Sequence, residues 1–344
     1  MPRLTKPQLF EKVERAITDS GWNILYLPPQ TGNPCRFQIH KGEESYRLRI
    51  YIWNMTHGGG RARPHDEFRI QITGIDKFEA EVGGTTLILG WWDEIGVFAA
   101  FDFHKHAGRL GYSPSIQIRE EFLRRAYRDG LAPYDKGNKE IAIAVRPDFL
   151  VEYIRHSESL HGFGDSHIDF EILDSVSKDP QAVNDEDLAR VSQPRQVTVS
   201  SIRRRLRDTS FRNRILTAYA FRCAACGLQL ELVEAAHIIP VSHEQSTDET
   251  SNGVALCVLH HVAFDRALIG LSEDYSVAVN DSEMQRLRDI RRDGGMDKFV
   301  KALRPLILLP PAVNDRPNTN YIRIGNEARG WSQGSTAAQG ALLR

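Results

Sequence analysis

The sequence predicts an α+β protein in two parts: a β-rich mixed N-terminal domain joined to a C-terminal domain built around a metal-binding stretch. Three observations carry this. Short runs with two-residue apolar alternation follow one another from residue 22 to residue 145. Residues 172–198 are polar with weak periodicity. Residues 223–265 then hold three of the four cysteines and four of the twelve histidines. At 344 residues the chain is too long for one typical domain. The expected boundaries are a domain at 1–165, a linker at 166–200, a metal-binding domain with flanking basic helices at 201–310, and a partly disordered C-terminal tail at 311–344.

Composition narrows the function classes. Apolar residues make up 41% and charged residues 26%, a balance that buries a core without disulfide staples. The net charge of −1 gives no global attraction to nucleic acid, so DNA contact must rest on local basic patches. No window approaches the roughly 20 apolar residues of a membrane helix, so no membrane is expected as a partner. The opening Met-Pro-Arg-Leu-Thr-Lys-Pro-Gln lacks the apolar core of a signal peptide. Four cysteines, two of them as Cys-x-x-Cys, suggest metal binding in a reducing compartment, so the cytoplasm is the expected location.

The elements follow in order. Leu9, Phe10, Val13, Ala16 and Ile17 fall at helical spacing, predicting a helix over 5–19 that stops at Ser20-Gly21. Strands are expected at 23–27, 36–40, 46–53, 67–73, 85–92, 97–103, 115–119 and 140–145, the run Val97–Phe103 being apolar enough to be central. In Glu67–Thr73, Phe68, Ile70 and Ile72 share one face. Helices are expected near 120–127, near 147–154 and from Ser201, with a second basic helical region at 285–303 broken at Gly294-Gly295. The last twenty residues are Gly-, Ser- and Ala-rich.

The chemistry lies in Cys223-Ala-Ala-Cys226, Glu234-Ala-Ala-His237-Ile-Ile-Pro240, Asn252-Gly253 and Leu256-Cys257-Val-Leu-His260-His261-Val-Ala-Phe264-Asp265. Cys223 and Cys226 form one pair, and Cys257 and His260 another with the same gap. A Cys3His set is a standard closed zinc site; the bland alternative is a group of buried free thiols. His237 and His261 stay outside that set. A neutral imidazole takes a proton from water near neutral pH. His261 and Asp265, four apart, share a helix face and can hold one divalent cation. Base plus metal is the equipment for phosphodiester hydrolysis.

At these residues the segment resembles the HNH nucleases of the ββα-metal class. It is most similar to a subgroup common among bacterial restriction endonucleases, with the pattern Ala-Ala-His, Asn-Gly, Cys-x-x-His-His and Phe-Asp. The resemblance covers about residues 211–280. It implies a zinc-stabilised ββα-metal (HNH) nuclease domain. His237 would be the general base, Asn252 the residue that ties the loop, and His261 and Asp265 the ligands of a catalytic Mg2+ or Mn2+. Cys223, Cys226, Cys257 and His260 would bind structural Zn2+. Cleavage would leave 5′-phosphate and 3′-hydroxyl ends. The residue before the base, acidic in the commonest pattern, is Ala236 here; Glu234 is the nearest substitute, but strand alternation turns it to the face opposite His237.

Arg203, Arg204, Arg205, Arg207, Arg212 and Arg214 form a basic face directly upstream of the motif, suited to DNA phosphates. Arg61 and Arg63, in a glycine-rich loop, are a second candidate contact. Trp91-Trp92 is either core packing or a wall for a flipped base. Together these predict an endodeoxyribonuclease of a restriction system acting on foreign double-stranded DNA, base-modified or not, as a homodimer. The alternatives are a defence effector whose N-terminal domain binds a small signal molecule, and a non-catalytic zinc-stabilised DNA-binding regulator.

Overall fold

The computed structural model describes residues 3–28, 32–58, 64–193, 195–331 and 336–337. The chain divides into two compact units, Met1–Leu206 and Arg207–Arg344.

In the first unit, α1 (Lys6–Asp19) starts at a capping box between Thr5 and Gln8 and buries the apolar face expected of it. Among the described residues, nine strands form one sheet: β1 (Asn23–Leu27), β2 (Cys35–Lys41), β3 (Glu44–His57), β4 (Glu67–Gln71), β5 (Thr85–Trp92), β6 (Val97–Phe101), β7 (Ser115–Arg119), β8 (Leu131–Asp135) and β9 (Ile141–Val145). Their order is β1-β2-β3-β5-β6-β9-β8, with β4 paired to β3 and β7 to β4. The β3–β5 pair is parallel and the others are antiparallel.

Side-chain alternation splits this sheet between two cores. Leu48, Ile50 and Ile52 of β3 enter one, and Tyr51, Trp53 and Met55 the other. Burial of both faces explains why the inner strands read as near-continuous apolar runs. Trp91 and Trp92 point into opposite cores and are each 5% exposed, so neither walls an open base pocket. Strand β8 had no sequence signal because Pro133 sits inside it. It lies at one end of the strand order, where the missing N–H removes no ladder bond.

The segment expected as a linker belongs to this unit. α2 (Glu120–Asp129) and α3 (Leu150–Gly162) are followed by α4 (His167–Lys178), a short helix Asp185–Ala189, and α5 (Arg195–Ala218). Ile172, Leu173, Val176, Val183, Val191, Val199, Ile202 and Leu206 all join the first core. The polar majority hides these positions, and part of it is internal. Asp169, 3% exposed, accepts from Ser192 Oγ at 2.7 Å and pairs with Arg195 at 2.7 Å. The boundary between the two units falls within α5.

The second unit is built on an antiparallel hairpin, β10 (Val233–His237) with β11 (Gly253–Cys257), followed at once by α6 (Val258–Asp265). Then come β12 (Ile269–Leu271) with β13 (Val277–Val279), α7 (Asp281–Asp289), α8 (Met296–Lys301) and α9 (Thr319–Ala328). The break expected at Gly294-Gly295 holds: Gly295 caps α8 with φ +87°. The expected tail is ordered through its first half. Asn318 caps α9 by accepting from Asn320 N, and Ile322 is 1% exposed. Residues 332–335 and 338–344 lie outside the described residues. Among the described residues no helix is long and apolar enough to cross a membrane.

Candidate active site and metal centre

Cys223 and Cys226 sit on a tight knuckle closed by Gly227 N donating to Cys223 O at 2.7 Å. Cys257 ends β11, and His260 follows in the first turn of α6. The four ligand atoms lie within 4.8 Å of one another, with His260 Nδ1 3.5 Å from Cys223 Sγ and 3.3 Å from Cys257 Sγ. Ligands at zinc bond lengths of about 2.0–2.3 Å, arranged tetrahedrally, stand about 3.3–3.8 Å apart, so the donor set fits zinc. Burial pushes the three thiols up and the His260 imidazole down. The neutral imidazole is already the form a metal needs, whereas buried thiolates need a cation beside them.

His237 ends β10, opposite Gly253. Its ring stacks on Phe211 of α5, with centroids 3.8 Å apart and planes 11° from parallel. Gly253 is required by the same packing, since a Cβ there would lie 2.1 Å from Ile215 Cδ1. His237 Nε2 is 3.3 Å from Asp248 Oδ1, and Asp248 Oδ2 pairs with Arg207 Nη2 at 2.6 Å. The His237 hydrogen bond and, against burial, the Arg207 pair hold the Asp248 carboxyl down at about 2. Asp248 is therefore an acceptor at neutral pH. The His237 nitrogen facing it carries the proton, which leaves Nδ1 with its lone pair. Arg214 donates to Asp248 O at 2.5 Å and fixes the loop.

Asn252 is fully buried and ties this corner together. Its Oδ1 accepts from Ile239 N at 2.9 Å, its main-chain oxygen from Ile238 N at 2.8 Å, and its Nδ2 donates to Thr247 O at 2.7 Å.

His261 belongs to a separate group. Its Nδ1 is 2.7 Å from Glu234 Oε2 and its Nε2 is 3.5 Å from Asp265 Oδ2. The ring holds the two carboxylates on opposite sides. Nε2 with Asp265 Oδ2 has the separation of two atoms sharing one cation, whereas Glu234 sits where a ligating histidine finds its orienting acceptor. Arg329 joins the two groups. It donates through Nη2 to His237 O at 2.9 Å and stands 3.6 Å from Asp265 Oδ1.

The basic face of α5 is mostly committed internally. Arg203 pairs with Asp185 at 3.0 Å. Arg205 donates to Asp148 O at 3.0 Å and lies over Phe149. Arg207 and Arg214 hold the Asp248 loop. Arg204 and Arg212 are exposed and reach no acceptor among the described residues. Arg61 and Arg63 lie outside the described residues.

Sequence reasoning missed Asp248, Arg329 and the Glu234–His261 contact. Asp248 lies in a polar loop and Arg329 in the expected tail, so neither stood at motif spacing.

Residues 223–272 match a family model described as "HNH endonuclease", and residues 46–154 match one described as "Methylase-associated X1". A comparison with curated proteins finds no match. Among solved structures, a "Modification dependent TagI restriction endonuclease" is similar over 81% of this chain and 80% of that one, at 13% identity and a TM-score of 0.29.

Proposed function

We propose that this chain, a DNA endonuclease through its HNH domain, is a restriction-type enzyme that hydrolyses double-stranded DNA with His237 as general base. The observation that carries the reading is the Arg207–Asp248–His237 relay at the end of the hairpin, with His261 and Asp265 on the helix that follows it. Asp248 orients the imidazole and fixes its tautomer. His237 Nδ1 then takes a proton from the attacking water as the phosphodiester is cleaved. His261 Nε2 and Asp265 would hold a Mg2+ or Mn2+ ion, and Glu234 orients His261. What such an ion supplies when bound is neutralisation of charge on the phosphate and the leaving 3′ oxygen. Cleavage leaves 5′-phosphate ends. The zinc of the Cys3His set supports the fold and takes no part in the chemistry.

The first unit selects the DNA. Its match to a methylase-associated family suits a nuclease whose action depends on base modification. Arg204 and Arg212 contact phosphates. Two copies act together, because one site cuts one strand. Four free cysteines suit the cytoplasm.

A second reading is favoured by one observation. The first unit carries a cleft of about 740 Å³ of a size suited to a small molecule, its wall mixing Arg119, Arg124, Arg125 and Arg128 with the acids Glu121 and Asp174. In that reading the unit senses a signal molecule that switches cutting on.

One assay separates the readings. The protein is incubated with methylated and unmethylated plasmid in Mg2+ or Mn2+, with and without a panel of nucleotides. Nucleotide-independent cutting that differs between the plasmids supports restriction. Cutting that needs a nucleotide supports the effector. No metal-dependent cutting under any condition rejects the nuclease mechanism.

A further inference from the structure

The motif ends at Asp265 and the family match at residue 272, yet helix α9, far downstream, packs on the loop that carries Asn252 and just beyond the strand that carries His237. Asn318 N donates to Ser251 O at 2.9 Å and Tyr321 OH to Glu249 Oε2 at 2.8 Å, both on the loop that carries Asn252. Asn326 Nδ2 donates to Leu271 O at 2.8 Å on β12. Gly325 packs so closely on the strand end that a Cβ there would lie 2.2 Å from Ile238 O.

One residue past the helix stands Arg329, with its side chain 6% exposed. Its guanidinium donates to the carbonyls of His237, Ile238 and Gly325, faces Asp265, and lies 4.2 Å from the Phe264 ring centroid. Its Nε is buried without a partner among the described residues. A cation buried against carbonyls and one carboxylate at 3.6 Å is a costly way to fill space, and an apolar side chain would pack there with less desolvation. The arrangement makes sense if the fork is needed for what it joins.

We infer that Arg329 is a positioning residue for DNA cleavage, tying the main chain of His237 to the carboxylate of Asp265. The inference rests on the roles given to those two residues above. The planar fork fixes the proton acceptor relative to the metal-binding group, and a lysine ammonium has no such fork. The cleavage site is thus completed by a segment outside the HNH motif.

The test uses the full chain and supercoiled plasmid in Mn2+, comparing wild type with Arg329→Ala, Arg329→Lys, Gly325→Ala and His237→Ala. Arg323→Ala serves as control, since Arg323 lies on the exposed side of α9 and pairs there with Glu327. Arg329→Ala is expected to lower kcat about 100-fold, the scale of a small misplacement of reacting groups, with KM and zinc content unchanged and a melting temperature that falls but stays above the assay temperature. Gly325→Ala is expected to do the same more weakly, and Arg323→Ala to leave kcat alone. Millimolar guanidinium should restore part of the Arg329→Ala activity and none of the His237→Ala activity. Should Arg329→Ala fail to fold, Arg329→Lys keeps the charge and must still lose kcat. Wild-type kcat in a folded Arg329 variant overturns the inference, as does a loss of activity that follows the loss of zinc or fold without guanidinium rescue. If wild type is inert, or His237→Ala cuts as fast, the underlying assignment fails. An inert His237→Ala beside a normal Arg329→Ala defeats this inference alone.

Discussion

The role proposed for His237 rests on its neighbours rather than on its place in a motif. Asp248 fixes the tautomer, Phe211 fixes the ring plane, and Arg207 keeps Asp248 ionised. Replacing Asp248 by Asn removes the charge but keeps the shape. We expect kcat to fall roughly 10- to 100-fold with DNA affinity unchanged, measured by single-turnover cleavage beside a binding titration. Equal kcat would leave Asp248 a purely structural residue. The Asp248 carboxyl sits at about 2, below its ordinary 3.8, so its pairing contributes fully above pH 4 and is lost as pH falls toward 2. The relay therefore stays intact across pH 5–8, and any acid limb of the rate in that window must come from a group other than Asp248. At this scale the sequence exposed the Cys3His set and the histidines beside it, because they stand at motif spacing. Asp248 and Arg329 are set by tertiary proximity, which leaves no periodic trace.

Among the elements, the hairpin β10–β11 and helix α6 were legible from Cys223–Asp265, because each carries a functional residue at its end. The Cys3His set is the staple for this small unit. Cys257→Ser should release zinc and unfold the segment around residues 223–272, since apparent zinc binding of about 10–16 kcal/mol is folding energy in such modules. Metal analysis and hydrogen exchange would check this; full zinc content in the variant would contradict it. Helix α5 was read as one basic face, but most of its arginines are spent on holding Asp185, Asp148 and Asp248. Arg204→Ala with Arg212→Ala should flatten the slope of log affinity against log salt by about 0.9 for each lost phosphate contact. Arg205→Ala should lower the melting temperature with little change in that slope.

Across the molecule, the split into a β-rich unit and a metal-bearing unit was legible, but the linker was not. Sparse apolar positions such as Ile172, Val183 and Val191, set among acids and serines, give too weak a period to show a helical layer on a sheet. That layer also carries a stability signature. Burial alone would push the Glu152 carboxyl up, but the His156 ring 3.3 Å away and the hydrogen bonds from Ser201 and Arg155 hold it at about 2 against an ordinary 4.5. Its contribution is complete above pH 4.5 and vanishes as pH falls to 2, so the first unit should lose stability over that window. Thermal melts of wild type and Glu152→Gln between pH 2 and 7 would check this: the curves should differ at pH 7 and converge in acid.

The proposed cutting chemistry depends on His237 being the base of a metal-dependent cut. The most direct measurement is the rate at which zinc-replete wild type and His237→Ala nick supercoiled plasmid in Mg2+ or Mn2+, with DNA binding measured in parallel. The account predicts metal-dependent cutting by wild type and a loss of about 100- to 10,000-fold in the variant, the usual worth of a general base, with zinc and DNA affinity retained. Cutting by His237→Ala at the wild-type rate would contradict it.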